Sequence, residues 1–118
     1  MTLKEMYDEI GGNYTEAKSR LMNDALIEKF ALKYETDDTF EELKQAVFEK
    51  DIEKSFRAAH TLKGVAANLS FTELAKAASA LTEQLRPLKE QADTDLYAKV
   101  IRRQEKVIKG IETFKQSR

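Results

Sequence analysis

Four glycines and one proline are all that punctuate this chain, and so few breakers leave few places for the tight turns that hairpins need. The long intervals between them are filled by Leu, Ala, Glu and Lys, residues that lose little on entering a helix. No period-2 strand pattern, internal repeat or low-complexity segment occurs, and apolar residues recur at spacings of three, four and seven. The fold expected is therefore all-α. With 118 residues, within the roughly 100–150 typical of one domain, residues 1–118 are expected to form a single unit with one core.

Capping signals divide the chain. Thr2-Leu3-Lys4-Glu5 fits a capping box, in which a hydroxyl and a carboxylate three residues apart satisfy two orphan N–H groups, so a short helix is expected over about residues 3–10. Gly11-Gly12-Asn13 stops it. Ala17, Leu21, Ala25, Phe30 and Tyr34 then predict one helix over 15–35, and Phe40, Leu43, Val47 and Phe48 a shorter one ending near Lys50. Asp51 is the expected N-cap of a helix over 51–69, and Ser70 with Glu73 the capping box of the next, over 71–86. Pro87, which lacks a donor and restricts its predecessor, ends that helix, and Asp93 or Thr94 caps a last one over 94–116. Gly110 weakens it slightly. The four long helices are expected to bury their stripes as an antiparallel up-down four-helix bundle, with a short N-terminal helix and a short helix between the first two bundle helices.

Charge and residue content exclude several functions. Twenty Lys and Arg against 21 Asp and Glu give a net charge of −1, without the basic excess of a nucleic-acid or anionic-membrane binder. The absence of cysteine removes disulfides, thiol nucleophiles and iron–sulfur clusters, and one histidine cannot alone build a histidine-rich metal site. The N-terminus lacks the apolar segment of an export signal, and apolar runs such as Ala25-Leu26-Ile27 are far below the roughly 18 residues of a membrane span. A cytoplasmic, monomeric protein without a metal of its own is expected. Beginning at methionine and ending soon after the last helix, the chain is expected to be a free-standing protein, with an excised domain of a larger sensor kinase as the alternative.

On a wheel of about 100° per residue centred on His60, Ile52, Ala58, Ala59, Leu62, Val65, Ala66 and Leu69 share an opposite arc, the expected core face. Glu53, Arg57, Lys63, Gly64 and Ala67 fall within about 60° of His60, which therefore points outward. A mid-helix glycine costs about 0.5–1 kcal/mol relative to alanine, so Gly64 implies that something needs the missing side chain. With Ala67 it opens a clearing around the imidazole, while Lys63 brings an ammonium beside it. Neutral imidazole has a free lone pair near pH 7, and a phosphoryl group added to it carries negative charge that Lys63 can stabilise.

The stretch Ala58-Ala59-His60-Thr61-Leu62-Lys63-Gly64-Val65-Ala66-Ala67-Asn68-Leu69 resembles the signature of histidine-containing phosphotransfer (HPt) domains, a histidine followed at +3 and +4 by lysine and glycine. Phe71, Leu74, Ala78, Leu81 and Arg86 are similar to the family's next helix, and the resemblance spans residues 15–116. It implies a phosphorelay intermediate of a two-component system. His60 would accept the phosphoryl group from a receiver-domain aspartate, Lys63 would steady its charge and Gly64 would admit the partner. The partners implied are a response-regulator receiver domain, a hybrid sensor kinase, or both. No cofactor of its own is implied; Mg²⁺ would come with the receiver. No Gly-rich phosphate loop suggests ATP binding, so kinase activity is not expected. The family's pattern often has a longer polar residue where this chain has Thr82, leaving any hydrogen bond from there to the imidazole open.

Phe56, Arg57, Ala67, Phe71, Thr82 and Arg86 are the candidate partner contacts. Phe56 has packing beneath the N-terminal helix as its alternative, Arg57 an ion pair with Glu53, and Arg86 simple solvation. Leu3, Met6 and Ile10 are expected to cover the bundle. Two rival functions are a helical adaptor that docks receivers or other helical partners without transfer, and a metalloprotein using His60 with carboxylates such as Glu53. A helix former would serve an adaptor better than Gly64, and metal bundles need several inward ligands.

Overall fold

The computed structural model describes residues 1–118, all of whose regular structure is helical. Helix α1 (Leu3–Ile10) opens with the expected capping box: the Glu5 N–H donates to Thr2 Oγ1 at 3.1 Å and the Thr2 N–H to Glu5 Oε1 at 2.7 Å. Gly11 ends it in the left-handed region at φ 73°.

The helix expected over 15–35 is broken. It forms α2 (Tyr14–Leu21), α3 (Asp24–Lys33) and a 3₁₀ turn over Tyr34–Thr36. Met22 adopts φ 75°, and Asn23 starts α3 by accepting the Leu26 N–H at 2.9 Å on its side chain. A left-handed non-glycine residue costs roughly 1–2 kcal/mol, so tertiary contacts must offset the break. They are present: Asp24 accepts hydrogen bonds from the Tyr14 hydroxyl and, at 3.0 Å, from Lys18, while Arg20 donates to the Ala67 carbonyl at 2.6 Å. The break also re-aims the apolar stripe. Ile27, Ala31 and Tyr34 are buried, whereas Ala25, expected inside, is exposed and Phe30 is 38% exposed.

Helices α4 (Thr39–Phe48), α5 (Ile52–Asn68), α6 (Thr72–Leu85) and α7 (Thr94–Gln116) follow. Each packs along the next, and α1 packs along α7. The connections between these neighbours are three, three and eight residues long. Asp51 and Asp93 cap α5 and α7 as expected, accepting the N–H groups of Lys54 at 3.0 Å and Leu96 at 2.9 Å. Leu43, Leu62, Leu74, Leu81, Val107 and Ile111 lie at the centre of the core. Gly110 has a packing role: a Cβ there would clash with Ile10 Cγ2, so its absence lets α1 lie directly on α7.

The corner between α5 and α6 departs from expectation. Ser70 does not cap α6; it sits at φ 58° and its hydroxyl donates to Glu16 at 2.8 Å. The N-cap position is Phe71, which supplies no side-chain bond. Backbone from the N-terminal region substitutes, since the Glu73 N–H donates to the Gly11 carbonyl at 3.0 Å and the Asn13 N–H to the Ser70 carbonyl at 2.9 Å. The Tyr7 hydroxyl donates to the Leu69 carbonyl at 2.8 Å. Burial pushes the ionisation of Tyr7 and of Tyr34 well above the usual phenol range.

Candidate functional site

α5 buries Ser55, Ala58, Ala59, Leu62 and Ala66, with Ile52, Val65 and Leu69 only half-buried at the edges of the expected core arc. The opposite strip, Glu53, Arg57, His60, Gly64 and Ala67, is exposed, and Lys63 is half-exposed beside it. His60 therefore stands at the midpoint of α5, facing out. A Cβ on Gly64 would meet nothing within 4 Å, so no packing within the chain requires a glycine there.

One side of the imidazole is furnished by aromatic and charged groups. The Phe56 ring, one turn earlier, stacks on it with centroids 6.1 Å apart and planes 16° from parallel. The Arg86 guanidinium of α6 lies over the Phe56 ring at 5.4 Å from its centroid. Arg86 also grips Glu83 as a fork, with Nε and Nη2 each 2.9 Å from a carboxylate oxygen. Those hydrogen bonds, then the charges of Arg86 and Lys63, hold the Glu83 carboxyl below its usual 4.5. Glu83 thus lies within electrostatic reach of both His60 and Lys63. Its membership of the site depends on the α5–α6 contact, which no single-helix pattern displays.

The other candidate contacts are distributed unevenly. Arg57 is exposed and pairs with Glu53 at 3.5 Å, and Ala67 is exposed with its carbonyl held by Arg20. Phe56 does not pack beneath the N-terminal helix, because α1 lies on α7; it joins Arg86 to His60 instead. Phe71 is not a surface residue. The left-handed turn at Ser70 directs it into the core, where its ring centroid lies 5.7 Å from that of Tyr7 and 5.4 Å from that of Tyr34. Thr82 is also fully buried, its hydroxyl donating to the Ala78 carbonyl at 2.7 Å, so it neither meets a partner nor orients the imidazole. No three His, Asp or Glu side chains converge as a metal site, and no helix is long and apolar enough to cross a membrane.

Chemically, the arrangement presents one accessible nucleophile with a side chain missing on one flank and cations on the other. Among known protein families, the model described as Hpt domain matches residues 31–113, which include α4, α5, α6 and most of α7. No curated protein and no solved structure matches the chain.

Proposed function

The chain belongs to the Hpt domain family, and from that membership we propose that it carries a phosphoryl group on His60, exchanging it with receiver-domain aspartates in a two-component phosphorelay. The observation that carries the proposal is the exposed imidazole of His60 beside the bare backbone of Gly64, within the matched segment.

In the forward step an unprotonated imidazole nitrogen of His60 attacks the phosphorus of a receiver's phosphoaspartate. The P–N bond forms as the acyl P–O bond breaks, and the carboxylate leaves with the receiver. The charge on the transferring group falls within reach of Lys63, which stands one turn further along α5 and is engaged in no ion pair. Gly64 allows the receiver's backbone to approach, so that the reaction centre is assembled by docking. Mg²⁺ bound by the receiver would supply further stabilisation of phosphoryl charge.

The test is transfer from phosphorylated receiver domains to the wild type and to His60→Gln, read by intact mass and by the acid lability of phosphohistidine. Phosphate on the wild type alone is the expected result. Receiver binding without transfer would replace the proposal with the adaptor function.

A further inference from the structure

Three large apolar side chains, Met22, Leu26 and Phe30, follow one another at intervals of four from the α2–α3 corner along α3 and are 77%, 38% and 38% exposed. The same wheel that turns His60 outward shows where this row lies. Relative to His60, Lys63 and Phe56 point about 40–60° toward α6, while Gly64 points about 40° and Asn68 about 80° the other way. Phe30, near the end of α3, lines a surface depression with Val65 and Asn68, and Arg20 of α2 is tied to the Ala67 carbonyl, so the end of α2 and the end of α3 both meet the last turns of α5, on the side to which Gly64 opens. From His60 the surface therefore passes over the missing side chain of Gly64 and beside the exposed Asn68 to the apolar row.

Interface dimensions make this continuity consequential. A specific interface buries about 800 Å² on each partner, equivalent to a disc of roughly 16 Å radius. Ala67 lies only about 10.5 Å along α5 from His60, so a partner centred on the imidazole extends beyond it. On the α6 side such a partner meets the Glu83–Arg86 ion pair, and interface cores are depleted in charge. On the α3 side it meets Met22, Leu26 and Phe30. Lys63, at the His60 end of this path, is engaged in no ion pair and offers its charge to an acidic phosphoacceptor site, while the depression beside Phe30 carries Lys33 together with Asp37 and Asp38. Phe48, 81% exposed, is a different feature, since it faces a groove with Tyr97 between α4 and α7.

We infer that a receiver domain engaged at His60 seats its apolar contact on Met22, Leu26 and Phe30. The inference rests on the phosphoryl-carrier function proposed above. It also places part of the recognition surface outside residues 31–113, in a segment the family match does not reach.

The test takes the receiver with which the wild type exchanges phosphoryl fastest, from a panel of receivers from the source organism. Transfer is measured against receiver concentration for the wild type, Leu26→Ser/Phe30→Ser, Met22→Lys and Phe48→Ser. Thermal unfolding establishes that each is folded, and phosphorylation by phosphoramidate, a small donor, establishes that His60 still reacts. Transfer efficiency is expected to fall at least about tenfold in the double variant, and in the same direction in Met22→Lys, with Phe48→Ser unaffected. Folded, phosphoramidate-reactive row variants that transfer like the wild type overturn the docking surface and leave the carrier function standing. If Leu26→Ser/Phe30→Ser does not fold, Met22→Lys decides. A wild type that takes phosphoryl from neither phosphoramidate nor any receiver overturns the carrier function, and the docking surface with it.

Discussion

Replacing Gly64 by alanine separates stability from function at one position. The residue is exposed in the middle of α5, and a Cβ there meets no atom within 4 Å, so the substitution neither clashes nor adds packing. What remains is intrinsic helix propensity, in which alanine exceeds glycine by about 0.8–1.0 kcal/mol. For a domain of this size that corresponds to a rise of about 4 °C in Tm. Differential scanning calorimetry with urea unfolding should show both figures. Gly64→Gln should retain about half of the gain, because glutamine is also a good helix former. Its side chain, however, fills the clearing beside the imidazole, and phosphoryl exchange with a receiver should fall by about tenfold or more. Two results would refute the reasoning. A Gly64→Ala protein no more stable than the wild type means that the helix needs glycine for its own conformation; a Gly64→Gln protein that exchanges phosphoryl normally means that the open space has no role in docking.

Three further predictions follow from the packing and ionisation. Gly110→Ala drives a methyl into Ile10 and should destabilise the fold by about 1–3 kcal/mol in urea unfolding, with Ile10→Ala in the same chain relieving part of the clash, as a double-mutant cycle would reveal. Because the Tyr7 and Tyr34 hydroxyls ionise above the usual phenol value of 10.0 only in the folded state, their contribution is fully present below pH 10 and is lost as pH rises toward their folded values; urea midpoints measured at pH 9 and pH 11 should fall, and Tyr7→Phe should flatten the decline. Glu83 is shifted the other way, so its stabilising contribution is present above its ordinary 4.5 and disappears as pH falls through its lower folded value; a carboxyl NMR titration should place Glu83 below 4.5 in the wild type and nearer to it in Arg86→Gln.

Local chemistry made much of this architecture legible. Thr2, Asp51 and Asp93 declare their helix starts because each cap is closed within three residues, and the outward position of His60 follows from periodicity alone. The misreadings arise where distant partners decide. The apolar spacing of 15–35 runs straight through Met22 and Asn23, and the break is stabilised by contacts at Tyr14, Lys18 and Ala67; the pair Asn23-Asp24, both good helix starters, was the available signal. Ser70 has the composition of a cap but is engaged by Glu16, a residue 54 positions away. Phe71 and Thr82 are close in sequence to the site yet face inward, and Glu83 joins the site only across a helix pair.

The backbone joints at the α5–α6 corner also imply an order of assembly. The hairpins from α4 to α7 close over three to eight residues each, whereas the Tyr7 hydroxyl and the Leu69 carbonyl are 62 residues apart. The entropy of so wide a loop disfavours early closure, so the N-terminal segment should dock onto a largely formed bundle. Until it does, the Leu69 and Ser70 carbonyls and the Glu73 N–H have only water as partner. The amide hydrogens of Asn13 and Glu73, which donate into this corner, should exchange with solvent together and ahead of those in the α5 interior, reporting docking as a discrete event in the molecule's history.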